Sequence, residues 1–338
     1  MQAGKQKNAE MPPIIWSIPV FFVSLHKNYS CTLKDTKMMK KIFATFILGV
    51  LATSVWSQML EIGDLCYIVH GDGQHVKVTS PPGFNSSYTG LVVVDIPSSI
   101  THEGTTYLVD VIGYQAFMSS STIISVSIPS SVSYISEQAF LGCDALTDVY
   151  LPNTISSIEH STFASCQSLS NIVLPSNLTE IKLRAFSGCT SLPSITIPNT
   201  VQYIGKEAFI NCYSLESVQL GSGLTSIGDA AFMNCSSLTS ITIPKNVKRI
   251  GESAFAGCSA LQKVVLRNGV VSIDSEAFRN CSSLTTIFLP PSVMTIEYDA
   301  FKGCESLKNI LIPAGKKAHF MARLDSSLHP LIKEVQPK

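Results

Sequence analysis

Cysteine is the residue type with the most chemical potential in this sequence, because eight cysteines share one column with a constant spacing of 23 residues. The column holds Cys143, Cys166, Cys189, Cys212, Cys235, Cys258, Cys281 and Cys304. In stacked strands, such residues would have Cα atoms about 5 Å apart, within the range of a disulfide. A disulfide also needs particular Cβ directions, whereas an in-register column points every thiol the same way. Because cysteine is a small and commonly buried hydrophobe, we predict free structural thiols, with disulfides as the alternative.

Metal binding and catalysis find little support in these residue types. No Cys-x-x-Cys pair or histidine accompanies the cysteine column, which disfavours a metal site. The sequence contains no G-x-S-x-G motif, no H-E-x-x-H motif and no glycine-rich phosphate loop. The seven histidines are scattered, and Glu159 beside His160 is interpreted as a solvated face rather than an acid–base pair. We therefore predict neither an enzyme nor a bound cofactor.

The charge of the chain limits the kinds of partner that it could bind. The formal net charge is zero and only 14% of the residues are charged. Neutralising a phosphate backbone requires clustered lysine and arginine, so nucleic acid is not expected as a partner. The hydrophobic fraction of 45% is ample for a buried core.

The cysteines belong to a repeat that organises residues 112–313. Phenylalanine recurs at the same interval, an isoleucine column runs from Ile112 to Ile296, and a leucine column runs from Leu146 to Leu307. The phenylalanine column contains Phe117, Phe140, Phe163, Phe186, Phe209, Phe232, Phe255, Phe278 and Phe301. A fixed period of this length is typical of stacked supersecondary units, so we predict a solenoid of about nine coils.

Each coil divides into three parts. Residues 238–244 alternate as a half-buried strand and end at a proline, which cannot continue a ladder. Residues 247–250 place two apolar side chains on the return side. Residues 251–258 form a short helical or 3₁₀ turn with Ala254, Phe255 and Cys258 pointing inward. Neighbouring coils should pair through parallel strands, with each phenylalanine stacked on the next.

The outward-facing side chains of the strands are the candidates for ligand binding. Most of them are small and polar, but a few are large or apolar. Contiguous exposed apolar residues can mark a contact site. The two candidates nearest the C-terminus, Phe288 and Leu311, could equally be covered by the end of the chain. The candidate ligand-binding residues are Tyr150, Val173, Gln219, Val265, Phe288 and Leu311.

The two ends of the chain lack the repeat. Met38 to Ser57 has two lysines, about ten apolar residues and a small-residue end, which predicts a secretory signal peptide. Its apolar part is shorter than the roughly 20 residues of a membrane span, so we predict no span in the mature chain. Residues 1–37 are a doubtful extension, residues 58–111 an N-terminal cap, residues 112–313 the solenoid and residues 314–338 a C-terminal cap.

The repeat pattern resembles a known family. The pattern I-x-x-x-A-F-x-x-C-x-x-L-x-x-I-x-I-P-x-x-V is similar to the 23-residue leucine-rich repeat of BspA-like bacterial surface antigens. Departures occur at Ser120, Ile123 and Thr162 and at two of the proline positions. The resemblance implies an α/β repeat fold: a right-handed leucine-rich repeat solenoid with a parallel β-sheet on its concave face and short turns opposite. It also implies export and a role in adhesion, with no shared catalytic residues.

Two functional hypotheses follow. In the first, a secreted or cell-surface protein binds a protein or glycan, including host extracellular matrix, through the concave strand face. In the second, the array is a non-catalytic structural or spacer protein of the cell envelope. Dependence of binding on exposed strand residues would favour the first hypothesis, and regular self-association without such dependence would favour the second.

Overall fold

A computed structural model describes residues 59–83 and 86–336. These residues belong to one compact unit that spans Ser57–Lys338. The doubtful extension at residues 1–37 and the predicted signal peptide at residues 38–57 lie outside the described residues. Within the described ranges, no helix has the length and apolar character that crossing a bilayer requires.

Six strands precede the repeats. They are β1 (Met59–Ile62), β2 (Leu65–Val69), β3 (His75–Thr79), β4 (Val93–Asp95), β5 (Ser99–His102) and β6 (Thr105–Ile112). Strands β1, β2 and β3 form an antiparallel meander, and β3 also pairs in parallel with β6. Strand β4 pairs with the first strand of the repeats, so the N-terminal segment extends the repeat sheet.

Two parallel ladders run through the coils. One, here called the strand face, holds β7 (Ser125–Ser127), β9 (Asp148–Tyr150), β11 (Asn171–Ile172), β13 (Ser194–Thr196), β15 (Ser217–Gln219), β17 (Ser240–Ile243), β19 (Lys263–Leu266), β21 (Thr286–Phe288) and β23 (Asn309–Pro313). The other, here called the second ladder, holds β8 (Tyr134–Ile135), β10 (Ser157–Ile158), β12 (Glu180–Ile181), β14 (Tyr203–Ile204), β16 (Ser226–Ile227), β18 (Arg249–Ile250), β20 (Ser272–Ile273) and β22 (Thr295–Ile296). Equivalent residues pair one repeat apart, so the period fixes the register.

The C-terminal segment closes both ladders. Helix α1 spans Lys317–Met321, a 3₁₀ helix spans Ser326–Leu331, and β24 spans Ile332–Val335. Strand β24 pairs in parallel with β23, while His319 Nε2 lies 2.8 Å from the carbonyl oxygen of Val293 near the last strand of the second ladder. The chain after the repeats thus forms a short helix, a 3₁₀ turn and one more strand of the strand face.

The core is a set of stacked columns. The nine repeat phenylalanines form a continuous row with ring centroids 5.1 to 5.7 Å apart and near-parallel planes. The isoleucine, leucine and cysteine columns are buried beside them. This arrangement confirms the predicted leucine-rich repeat solenoid.

The third side of each coil consists of turns rather than helices. Amides bond to carbonyls three residues earlier, as in 3₁₀ structure, but left-handed residues two positions before and after each phenylalanine prevent a continuous helix. In every coil before the last, the amides of the phenylalanine and of the two left-handed residues beside it donate to the next coil: Gln138 to His160, Phe140 to Thr162 and Gly142 to Ala164 are one such set. We call this array the turn ladder.

Candidate functional site

The cysteine column is buried and hydrogen-bonded as part of the core. All cysteines among the described residues are free and buried, which confirms the prediction of free thiols. Each repeat thiol donates to the carbonyl oxygen of the phenylalanine in the preceding coil; Cys235 Sγ, for example, lies 3.3 Å from the carbonyl oxygen of Phe209. Burial raises the pKa of Cys143, Cys212 and Cys258 to about 12. These three thiols therefore remain protonated at neutral pH, and such thiols are poor nucleophiles and metal ligands. In the last coil, the hydrogen bond with Cys281 instead lowers the pKa of Cys304.

Charged side chains pair between neighbouring coils. Arg249 Nη2 contacts both Asp229 Oδ1 at 2.8 Å and Asp274 Oδ2 at 2.5 Å. The interpretation of Glu159 as solvated is wrong, because the residue is 3% exposed and its carboxylate lies 2.8 Å from Lys182 Nζ. That hydrogen bond raises the pKa of Lys182. Among the described residues, no cluster of histidine, cysteine, aspartate and glutamate could hold a metal ion.

The candidate binding residues all lie on the strand face, but their surroundings differ. Tyr150 is 58% exposed and Val173 is 75% exposed, and they occupy adjacent coils. Gln219 is also exposed two coils further on. Val265 and Leu311 are half-buried, and Phe288 is much less exposed than Tyr150 or Val173. Leu311 is paired with Lys333 of β24, so the C-terminal segment lies directly beside it.

Two adjoining cavities lie in the middle of the strand face. The first, of about 550 Å³, is lined by β11, β13 and the loops after them, including Val173, Thr196 and Asn199. The second, of about 570 Å³, is lined by Asn199, Gln219, Arg267 and other residues near β15 and β17. Because Asn199 lines both cavities, Val173 and Gln219 belong to one surface. Neither cavity includes Tyr150, Val265, Phe288 or Leu311.

The first cavity lies where the strand face is interrupted. The face divides into one sheet ordered β11-β9-β7-β4 and another ordered β13-β15-β17-β19-β21-β23-β24, and no pairing joins β11 to β13. The repeat pattern does not predict this interruption. The residue that could have predicted the interruption is Pro193, which stands directly before β13. The equivalent residues of the other coils have a backbone N–H, which proline lacks.

A third cavity, of about 710 Å³, lies at the C-terminal end of the turn ladder. The amides of Asp299, Phe301 and Gly303 end the ladder there and have no acceptor among the described residues. Its lining includes four carboxylates and two basic side chains: Glu297, Asp299, Glu305, Asp325, Lys302 and Arg323. The excess of carboxylates disfavours an anion at this end.

Stacked coils with two parallel ladders, an inward phenylalanine row and a buried cysteine column define a leucine-rich repeat solenoid. The family model described as "BspA type Leucine rich repeat region (6 copies)" matches residues 110–238 and 204–319, which together make up more than half of the chain. The chain belongs to the BspA-type leucine-rich repeat family.

One of the solved structures to which the chain is similar has the same fold. A leucine-rich repeat protein from Bacteroides ovatus has 25% sequence identity and a TM-score of 0.52, covering 82% of this chain and 100% of that chain. A leucine rich cell surface protein from Faecalibacterium prausnitzii has 23% identity and a TM-score of 0.48, covering 81% of this chain and 100% of that chain. No curated protein sequence matches the chain.

Proposed function

We propose that this is an exported, non-catalytic binding protein that recognises a protein or glycan ligand through its strand face. The observation that carries the proposal is the pair of adjoining cavities that share Asn199. Concave surfaces with apolar walls and a few polar groups are the usual form of a recognition site. Export is supported by the signal-like sequence from Met38 to Ser57, which precedes the first described strand.

The residues at the site favour a polar ligand surface: the first cavity is uncharged, and the second adds the basic side chains of Lys245 and Arg267. Val173 and Tyr150 provide exposed apolar area on one side, and aromatic residues are enriched among those that dominate binding energy. Gln219 and Asn199 provide amide donors and acceptors on the other side. Extracellular-matrix proteins and surface glycans are therefore the ligands to test first.

The proposal is tested by measuring capture of fibronectin, laminin, collagen and a glycan array on immobilised protein. We expect saturable capture of at least one of these ligands by the unmodified chain. The double variant Tyr150→Ala and Val173→Ala should bind about tenfold more weakly, because hot-spot truncations cost more than about 1 kcal/mol each. Tyr213→Ala is the matched control, since Tyr213 is exposed but lies outside the strand face.

Two outcomes would contradict the proposal. Equal loss of capture in the Tyr213→Ala control would show that the strand face is not the binding surface. Absence of capture in every arm, together with concentration-dependent self-association in light scattering, would instead support a structural or spacer role in the cell envelope.

A further inference from the structure

The interruption between β11 and β13 is confined to one side of the molecule. At the same junction between coils, β12 and β14 of the second ladder are paired, and Phe163 stacks on Phe186 with centroids 5.5 Å apart. The planes of those two rings meet at 14°, the largest angle in the phenylalanine row. The two coils therefore remain stacked while their strands separate, which leaves a slot.

Pro193 gives a chemical reason for the slot. Residues at this position in most other coils donate their N–H to the preceding coil: Ser170 donates to Thr147 and Glu216 donates to Pro193 itself. Proline has no N–H, and within sheets it is confined to edge strands, first strand positions and bulges. Strand β13 therefore lacks one of the hydrogen bonds by which β15 closes on β13.

The slot leaves main-chain groups without partners. The amides equivalent to that of Leu174 donate to the next coil at Ile128, Ile197 and Leu289, whereas those of Leu151 and Leu220 do not. The amides of Leu174 and Ser194, one on each side of the interruption, have no acceptor among the described residues, and β11 and β13 are not paired. Unpaired strand edges of this kind are templates for pairing with another chain.

The lining of the slot selects the kind of partner. The cavity of about 550 Å³ is bordered by serine, threonine, asparagine and apolar residues, with no charged side chain among them. A neutral lining gives no attraction to a strongly charged ligand. Main-chain donors and acceptors on two facing edges, repeating with the strand period, match the backbone of an extended peptide.

We propose that the slot between β11 and β13 binds an extended segment of a partner protein by strand addition. The segment's backbone pairs with the free edge of β13, and alternate side chains contact the exposed Val173 and enter the cavity. This inference rests on the proposed binding role of the strand face and specifies the ligand as an extended, uncharged peptide.

The test uses a random octapeptide library displayed on phage and selected on the full chain. An enriched octapeptide is then synthesised, both unmodified and N-methylated at alternate residues, and its affinity is measured by fluorescence polarisation. Pro193→Thr restores the donor present at Thr147 and Thr239 and should close the slot. We expect affinity to fall at least about tenfold in this variant and with the N-methylated peptide. Glu216→Thr, the same position one coil later, is the control and should bind normally.

If Pro193→Thr folds poorly, amide hydrogen exchange of the unmodified chain tests the inference instead. In the unmodified chain, the amides of Leu174 and Ser194 should exchange rapidly when free and become protected on peptide addition. Protection elsewhere, undiminished binding by Pro193→Thr with its slot amides protected, or failure to enrich any octapeptide would overturn the peptide inference. Capture of matrix protein or glycan that persists in Pro193→Thr would at the same time leave the broader binding function standing.

Discussion

At the scale of single residues, cysteine suits its column because the adjacent carbonyl needs a second donor. The carbonyl oxygen of Phe186 accepts from the amide of Cys189 and from the thiol of Cys212, both at 3.2 Å. A buried acceptor that loses a partner costs about 1 to 3 kcal/mol. In the first coil, Ser120 replaces cysteine, and its hydroxyl accepts from the amide of Tyr88 at 3.0 Å. The departure from the pattern therefore joins the N-terminal segment to the repeats.

The buried thiols predict a loss of stability at alkaline pH. Burial raises the pKa of Cys212 from 9.0 to about 12. The folded state thus keeps a proton that the unfolded state releases, so the contribution is complete below pH 9 and is lost as pH rises toward 12. Cys212→Ala should be less stable than the unmodified chain at pH 8. The difference in unfolding free energy should then shrink by about 1.4 kcal/mol from pH 8 to pH 10.

Urea unfolding under reducing conditions at pH 8, 9 and 10 measures this difference, because other titrating groups are common to both proteins. A thiol reagent provides an independent check: the repeat thiols should react only after unfolding, since the thiolate is the nucleophile. A stability difference that stays constant with pH, or rapid labelling of the folded protein, would show that the thiols are not held protonated.

At the scale of the elements, periodicity predicted what depends on side-chain burial and missed what depends on backbone detail. The inward columns, both strand ladders and their register follow from a constant repeat, because each coil must bury the same side chains against the next. The interruption at Pro193 was not predicted, because that position holds varied residues and lies outside the alternating strand. The exposure of Tyr150 and Val173 could be read from alternation. The cavity that joins Val173 to Gln219 could not, because it depends on the interruption.

The turn ladder contains backbone conformations that residue types alone do not reveal. Nine residues two positions before the phenylalanines have positive φ, and none is glycine: Gln115, Gln138, Ser161, Arg184, Glu207, Ala230, Ser253, Glu276 and Asp299. The left-handed conformation costs a non-glycine residue roughly 1 to 2 kcal/mol. All of them donate their amides along the ladder except Asp299, which ends it. The hydrogen bonds between coils thus hold the strained conformation in place.

Replacing a strained alanine by glycine should stabilise the protein. Ala230 has a φ of 51°. Ala230→Gly removes the left-handed penalty but adds unfolded-state entropy of about 0.4 to 1 kcal/mol, so a net gain of up to about 1 kcal/mol is expected. Ala231→Gly is the control, since Ala231 is buried and lacks positive φ, and it should lower stability. Thermal unfolding of both variants checks the signs; destabilisation by Ala230→Gly would mean that its φ is not a source of strain.

At the scale of the whole repeat array, stability is carried from coil to coil because each coil contacts only its neighbours. Phe209 lies between two rings, with centroids 5.2 Å from Phe186 and 5.1 Å from Phe232. Phe301 ends the row and stacks only on Phe278, at 5.7 Å. The same substitution should therefore have different consequences at the two positions, which separates coupling between coils from local packing.

Phe209→Ala should cost about 3 to 5 kcal/mol and interrupt the row, so that the coils on either side unfold in separate transitions. Phe301→Ala should cost less and mainly loosen the C-terminal coil, because that ring loses one aromatic neighbour rather than two. Urea unfolding followed by circular dichroism measures the number and midpoints of the transitions, and hydrogen exchange shows which coils open first. Equal costs with one shared transition in both variants would contradict nearest-neighbour coupling. Two transitions in Phe209→Ala alone would show that the continuous aromatic row makes the array unfold as a unit.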